Sequence, residues 1–413
     1  MTKLDELIQE LCPNGVEFRR VKDIYQRLRG TPITAGKMKD IEDPQGEIKI
    51  FAGGKTVINA KECDIPNANI TRVPAVLVQS RGVIDAVYYD KPFTFKNEMW
   101  AYTADNSTSV KFLYYVLKNN MEYFRSAAAG MGSLPQISLP VTEDFLIPVP
   151  PLPVQREIVR ILDNFTELTA ELTAELTARK KQYAYYRDKL LTMDNEQVAM
   201  CNLEDICESI ADGDHMPPPK ADNGVPFITI SNITEQNKID FSNTMFVPRA
   251  YYDALAEKRK PQKGDILYTV VGSYGIPVCI EEDNVFVFQR HIAILRPKKQ
   301  LVKPRYMFHA MQSSVFKAQA DKAAKGAAQK TIGLAALAEM TLPVPPLAVQ
   351  QRLVEVLDNF DAICTDLNIG LPAEIEARKK QYEFYRDQLL TFAAQGEMIL
   401  TDRQTDRQTD RRV

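Results

Sequence analysis

The 413-residue sequence predicts an α+β fold in which two strand-rich modules are joined by two long paired α-helices, the second half a pseudo-twofold internal duplicate of the first. Two observations carry this expectation. PVPPLPVQREIVRILDNF, from Pro148 to Phe165, returns as PVPPLAVQQRLVEVLDNF from Pro343 to Phe360; RKKQYAYYRDKLLT, from Arg179 to Thr192, returns as RKKQYEFYRDQLLT from Arg378 to Thr391. Separated matches in the same order mark a duplicated unit. A third observation is that the blocks between these words, each of about 150 residues, are rich in strand and turn signals yet share only faint similarity.

The elements follow in chain order. Residues 1–152 form the first module. It opens on VKDI at Val21, carries a strand, Gly turn, strand signal in AVLVQSRGVIDAVYY from Ala75, and closes on the small-residue loop AAAGMGSLPQIS from Ala127. Residues 153–195 read as one helix. Its Pro-rich lead-in places Pro153 near the first turn, and Ile158, Ile161, Leu162, Phe165, Leu168, Leu172 and Leu176 recur at helical spacing. From Gln155 to Thr192 such a helix is about 57 Å long at 1.5 Å per residue, so it needs a partner, and the second copy supplies one, parallel or antiparallel. Residues 196–346 repeat the module frame with LEDI at Leu203, DILYTVVGSYGIPVCI from Asp265 and AAKGAAQKTIG from Ala323. Residues 347–395 repeat the helix, interrupted by Gly370 and Pro372. The first pair of words is offset by 195 residues and the second by 199, a difference of four. Four is also the length of the TAEL word iterated between Glu167 and Ala178.

Composition sets the broad class. The apolar fraction of 45% and charged fraction of 25% are those of an ordinary soluble protein. No apolar run reaches the roughly 18 residues of a membrane span, and the start MTKLDELIQE lacks the basic-then-apolar order of a signal peptide, so a cytoplasmic protein is expected. Six cysteines without a CxxC pair support neither a zinc site nor a disulfide framework. A net charge of −3 argues against loose polyanion binding while permitting local basic faces.

Catalytic signatures are missing. AGGKT at Ala52 invites a phosphate-loop reading, but the first glycine that motif needs falls on Lys49; a strand turn is the better reading. His215, His291 and His309 have no metal-ligand spacing to another residue and read as surface or packing residues. No GxSxG, dinucleotide fingerprint or Asn-Pro-Pro-aromatic run is present, and EIEARKK from Glu374 lacks the upstream carboxylate of a nuclease. A binding protein is expected.

The filling of the two modules is where function should lie. TFKNEMW (Thr94 to Trp100) and VFQRHIAI (Val287 to Ile294) fall in approximate register, and they place Lys96 and Asn97 against Gln289, Arg290 and His291. These side chains suit phosphate or bidentate base contacts, Arg with guanine and Asn or Gln with adenine. Gln79, Ser80 and Arg81 in the first module, with Thr269, Ser273 and Tyr274 in the second, occupy the Gly turns; Gln329 and Lys330 lie in the second closing loop. The triplets Arg179-Lys180-Lys181 and Arg378-Lys379-Lys380 recur verbatim, which suits a shared partner surface, since base reading should differ between halves.

The order of variable module, PVPPLxVQ, helix ending RKKQYxxYRDxLLT, then the same again, resembles the specificity subunits of type I restriction-modification enzymes, and the TAEL and RKKQY words are similar to one subclass of them. The resemblance runs to about residue 395. It implies that each module is a target-recognition domain reading half of a split site on double-stranded DNA, with the helices setting the spacer between the halves. It also implies two modification subunits that carry S-adenosylmethionine chemistry, and restriction subunits that use ATP and Mg, leaving this chain without cofactor or catalysis. Competing readings are a coiled-coil scaffold, which leaves the divergent modules unexplained, and a stand-alone DNA-modifying enzyme, which lacks a cofactor motif.

The tail 396–413 ends in TDRQTDRQTDRRV from Thr401. A single four-base unit read through three frames encodes Thr-Asp-Arg-Gln in one way only, ACAG, as ACA-GAC-AGA-CAG. The same test fails for Thr-Ala-Glu-Leu at its second codon. The tail is polar and a poor core former, and it reads as the footprint of a slipping DNA tract.

Overall fold

The computed structural model describes the chain apart from residues 1, 55, 129–134, 193–197, 214–217, 235, 328, 366–368 and 396–413, and gives only the backbone of 391–395. The tail, His215 and half of the first closing loop therefore lie outside the described residues. The chain divides into two compact units, residues 1–171 with 376–413, and residues 172–375.

In the first unit the module is built from two sheets. One is antiparallel, in the order Gln26–Leu28, Trp100–Thr103, Ala75–Gln79, Asp85–Tyr89; the other runs Val57–Ala60, Ile48–Phe51, Phe93–Phe95, with the last pair parallel. The AVLVQ strand is buried along its whole length, which explains its unbroken apolar run. The second unit repeats the plan. Cys207–Asp212, Ile292–Pro297, Ile266–Thr269 and Pro277–Cys279 form the antiparallel sheet, and Met245–Val247, Val225–Ile228 and Val287–Phe288 the smaller one, again with one parallel pair. VKDI and LEDI become single helical turns at Val21–Ile24 and Leu203–Ile206.

The helical frame is as long as the periodicity indicated. One helix of 40 residues runs from Leu152 to Leu191, with Pro153 in its first turn, where an N–H would have no partner in any case. The lead-in is held by a glutamine in each copy: Gln155 Nε2 donates to the Pro150 carbonyl, and Gln350 Nε2 to that of Pro345, both at 2.8 Å. In the second copy the helix is split into Leu347–Thr365 and Leu371–Gln395, at the place where Gly370 and Pro372 stand.

The pairing between copies is antiparallel, which settles the alternative the sequence left open. In the first unit Phe165 stacks on Tyr385 at 5.5 Å and packs against Tyr382 at 6.4 Å, while Ile158 and Leu162 share a core with Leu389 and Leu390. In the second unit Phe360 stacks on Tyr183 at 6.3 Å and Tyr186 at 5.9 Å, while Leu353 and Leu357 share a core with Leu191. The head of each copy thus packs on the tail of the other. Ile158 and Leu162 are fully buried, whereas Leu168, Leu172 and Leu176 in the TAEL stretch are half-buried, a thin stripe four residues apart.

Each module is fastened to the frame by a polar node. In the first unit the helix Ser107–Asn119 presents Lys111 and Tyr115 to Asp163 of the LDNF word: Lys111 Nζ donates to Oδ2 at 2.8 Å and the Tyr115 hydroxyl to Oδ1 at 2.5 Å. In the second unit the helix Pro304–Met311 presents Arg305 and His309 to Asp358, with Arg305 Nε and His309 Nε2 donating to Oδ1 at 2.9 and 2.6 Å. A carboxylate only accepts, so Nε2 carries the proton and Nδ1 accepts from the Tyr183 hydroxyl at 3.0 Å. Burial pushes the His309 pKa below its usual value, outweighing the bond to Asp358. Burial opposes ionisation of Asp358, but the bonds from His309 and Arg305 prevail and hold its pKa low. His309 is therefore neither a surface residue nor an apolar filler; it is a fully buried part of this node.

Candidate nucleic-acid interface

The Gly turns, the strand-end words and the closing loops come together at one end of each module. In the first, the Gly82 N–H donates to Pro135 O at 2.8 Å, the Ile137 N–H to Ser80 O at 2.9 Å, and the Gly54 N–H of the AGGKT turn to Arg81 O at 3.2 Å. In the second, the Gly272 N–H donates to Lys330 O at 3.0 Å, the Ile332 N–H to Val270 O at 2.8 Å, and the Val270 N–H to His291 O at 2.9 Å. AGGKT is thus a turn in a loop cluster, as its strand-turn reading expected, with Lys55 itself outside the described residues.

Glycine is required at two kinds of position here. Gly82 and Gly272 have φ of +79° and +71°, the left-handed region that other residues enter at a cost. At Gly30 and Gly213 the constraint is a close approach of backbones: a Cβ would lie 2.2 Å from the carbonyl oxygen of Phe95 or of Phe288. Those phenylalanines immediately precede Lys96 and Gln289. The same crossing therefore positions the residues that differ between the modules.

Exposure divides the sequence candidates. Gln79, Ser80 and Thr269 are buried at 6%, 1% and 1% exposure, so they do not present donors to a groove as the sequence reading expected. The Ser80 hydroxyl donates to Glu98 O, and the Thr269 hydroxyl accepts from the Ile276 N–H at 3.0 Å; both shape the turn. Lys96 pairs with Glu98 at 2.9 Å, and Tyr274 is half-buried with its hydroxyl donating to Asp321 at 3.0 Å. Gln289 and His291 are half-buried and bonded to each other, and burial, aided by the Arg290 charge, lowers the His291 pKa. Arg81, Asn97, Ser273, Arg290, Gln329 and Lys330 are exposed.

On the helices, Lys180, Lys181, Lys379 and Lys380 are exposed; Arg179 reaches Gln182 at 3.1 Å, and Arg378, half-buried, reaches Gln381 at 3.1 Å. Of the aromatic residues after these triplets, Tyr183, Tyr186, Tyr382 and Tyr385 are spent on helix pairing, a role the sequence reading did not give them, while Tyr185 and Phe384 are exposed. The module nodes were missed as well. Their signal was present: a cation followed four residues later by Tyr or His, 52 or 53 residues before the LDNF aspartate, in both copies. Among the described residues no cluster of three His, Cys, Asp or Glu side chains is placed to hold a metal, and no helix is long and apolar enough to cross a membrane.

Two modules with one backbone plan and unlike exposed side chains, carried on a duplicated helical frame, define a two-headed recognition protein. Comparison with known proteins agrees. The model of the type I restriction modification DNA specificity domain matches residues 13–179 and again 195–377. A putative type I restriction enzyme specificity subunit of Haemophilus influenzae is 31% identical over 73% of this chain and 77% of its own length, and a type I restriction enzyme specificity subunit of Escherichia coli is 34% identical over 70% and 72%. The fold is that of a type I restriction-modification S subunit crystallised from M. genitalium, with a TM-score of 0.55 and 17% identity over 92% of this chain and 96% of that one. The chain belongs to the type I restriction modification DNA specificity family.

Proposed function

We propose that this chain is the sequence-specific DNA-binding subunit of a type I restriction-modification complex, of the subclass with TAEL spacers and RKKQY helices. Its modules, bounded at 1–152 and 196–346, each read one half of a split site on double-stranded DNA. The helices, 153–195 and 347–395, set the unread spacer. Arg81, Asn97, Arg290, Gln329 and Lys330 are the candidates for base or phosphate contact, because they are exposed where the loops converge. Two modification subunits supply S-adenosylmethionine chemistry and restriction subunits supply ATP- and Mg-dependent work, in the cytoplasm where the DNA lies. This chain positions them and catalyses nothing, and the Arg179-Lys180-Lys181 and Arg378-Lys379-Lys380 faces contact those partners.

One observation carries the reading: the scaffold around Gly30 and Phe95 is repeated at Gly213 and Phe288, but the residues it holds change from Lys96-Asn97 to Gln289-Arg290. A scaffold protein has no use for that difference. The test is exchange of residues 1–152 for the module of a relative, followed by mapping of modified bases; one half-site should change and the other stay. A change in both halves, or in neither, refutes the modular assignment.

A further inference from the structure

One four-residue turn recurs in both modules under the same restraints. In the first, residues 96–99 close through the Met99 N–H, which donates to Lys96 O at 2.9 Å; the Lys96 N–H donates to Phe51 O at 2.9 Å, and Glu98 O accepts from the Ser80 hydroxyl. In the second, residues 289–292 close through the Ile292 N–H, which donates to Gln289 O at 3.0 Å; the Gln289 N–H donates to Ile228 O and the Val270 N–H to His291 O, both at 2.9 Å. Exposure also follows one order along each turn: half-buried, exposed, half-buried, buried. The second residue, Asn97 or Arg290, is therefore the tip.

The side chains on either side of the tip are tied to each other. Lys96 Nζ lies 2.9 Å from Glu98 Oε1, and Gln289 Nε2 bonds to His291 Nδ1. The chemistry has changed from an ion pair to a neutral pair, but the link between the first and third residues is kept. In the first module the AGGKT turn makes room for it, since a Cβ on Gly53 would stand only 3.3 Å from Glu98 Oε1. A loose lysine beside a reading tip bonds to the phosphates of any sequence, and each phosphate neutralised steepens the salt dependence of binding by about 0.9. Such a contact adds affinity without information. Asn97 is a neutral amide of the kind that pairs with adenine, so a free ammonium next to it would dominate the contact. With Glu98 beside it, only 19% of the Lys96 side chain is exposed. In the second module the tip is itself the cation, of the kind that pairs with guanine, and its neighbours form a pair without charge.

We propose that Glu98 and His291 are positioning residues of the two reading turns: each binds the first side chain of its turn so that the tip alone meets a base pair, and Glu98 also keeps Lys96 off the DNA backbone. The inference rests on the DNA-reading assignment above and deepens it. It names one reading residue in each module and the class of pair it meets, A·T for Asn97 and G·C for Arg290. It also separates Lys96 and Gln289, which shape the turn, from the residues that touch a base.

The test measures binding of the full-length chain, in complex with its modification subunits, to duplexes carrying the mapped site, to the same duplexes with single base pairs changed, and to a duplex with neither half-site. Glu98→Ala should lower discrimination about tenfold at one A·T pair of the first half-site and leave the second half-site unchanged. It should also raise affinity for the duplex with neither half-site and steepen its salt dependence by about 0.9, which is roughly 3.5-fold more affinity lost between 50 and 200 mM salt. Adding Lys96→Gln should return the salt dependence to that of the natural chain, a rescue that a merely structural Glu98 would not give. His291→Ala should lower discrimination at one G·C pair of the second half-site with no change in salt dependence, because the side chain it frees is neutral. Uniform loss on every duplex from Glu98→Ala, with faster hydrogen exchange in peptides covering 93–103, would mark a turn that merely unfolds and would overturn the proposal. So would an unchanged salt dependence for Glu98→Ala, or an equal steepening for His291→Ala. If the natural chain did not distinguish its mapped site from the duplex with neither half-site, the underlying DNA-reading assignment would be what fails.

Discussion

Replacing Asp358 by alanine tests how the second module is held. The substitution removes the acceptor of His309 Nε2 at 2.6 Å and of Arg305 at 2.9 Å, and leaves a fully buried imidazole N–H unpaired. Hydrogen bonds to a charged partner are each worth about 1.5–3 kcal/mol, and breaking a buried pair costs about 3–5 kcal/mol. Two facts reduce the figure here. The Asp358 side chain is 39% exposed, and Arg305 keeps Asp361 at 3.3 Å and Glu281 at 3.1 Å. A loss of about 2–3 kcal/mol is expected, which speeds hydrogen exchange roughly 30- to 150-fold in the affected elements. Exchange is the better assay, because a two-unit chain need not unfold in a single step. Peptides covering 304–311 and 347–365 should exchange faster, while 107–119 and 152–165 hold. Asp163→Ala should give the mirror result through Lys111 and Tyr115. Acceleration in both units from either substitution, or in neither, would refute the view that each node fastens only its own module.

The second node is also pH-sensitive. The folded His309 pKa lies below that of the unfolded chain, so the native state binds fewer protons; stability is complete above about pH 6.5 and falls as acid is added, down through the folded pKa. Tyr115 occupies the corresponding place in the first unit and does not titrate there, so local exchange between pH 7 and 5.5 should quicken at 304–311 before 107–119, and His309→Tyr should reduce the difference. Arg290→Ala should weaken or relax only one half-site, by about 1–3 kcal/mol if the contact is bidentate; uniform loss on all sequences with a shallower salt dependence would mark a phosphate contact. Deleting residues 401–413 should leave DNA recognition intact, and the gene should carry an uninterrupted ACAG run there; mixed synonymous codons would remove the slippage argument.

The sequence by itself determined the duplication, the order of modules and helices, the break near Gly370 and the family, because each is written in residues adjacent along the chain: a repeated word, a helical period, a Gly and a Pro. Helical period is local, and it survives translation into structure. The strand, Gly turn, strand units were equally legible, since a turn at Gly82 or Gly272 is fixed by a few neighbouring dihedral angles. What pairs with what was not legible. That Phe165 meets Tyr382 and Tyr385 while Phe360 meets Tyr183 and Tyr186 decides antiparallel over parallel, and amphipathic stripes fit either direction until both faces are in place. Burial also depends on the whole fold. Gln79, Ser80 and Thr269 look like groove-facing polar residues in sequence, yet all three are buried: Ser80 bonds to Glu98 and Ile137, 18 and 57 residues further along the chain, and Thr269 to Ile276 across its own turn. His309, one of three unremarkable histidines in sequence, became half of a module fastening only when Tyr183 and Asp358 arrived from 126 residues before it and 49 after it. Local pattern fixes elements; the burial that decides what a polar side chain can do is set by contacts distant in sequence.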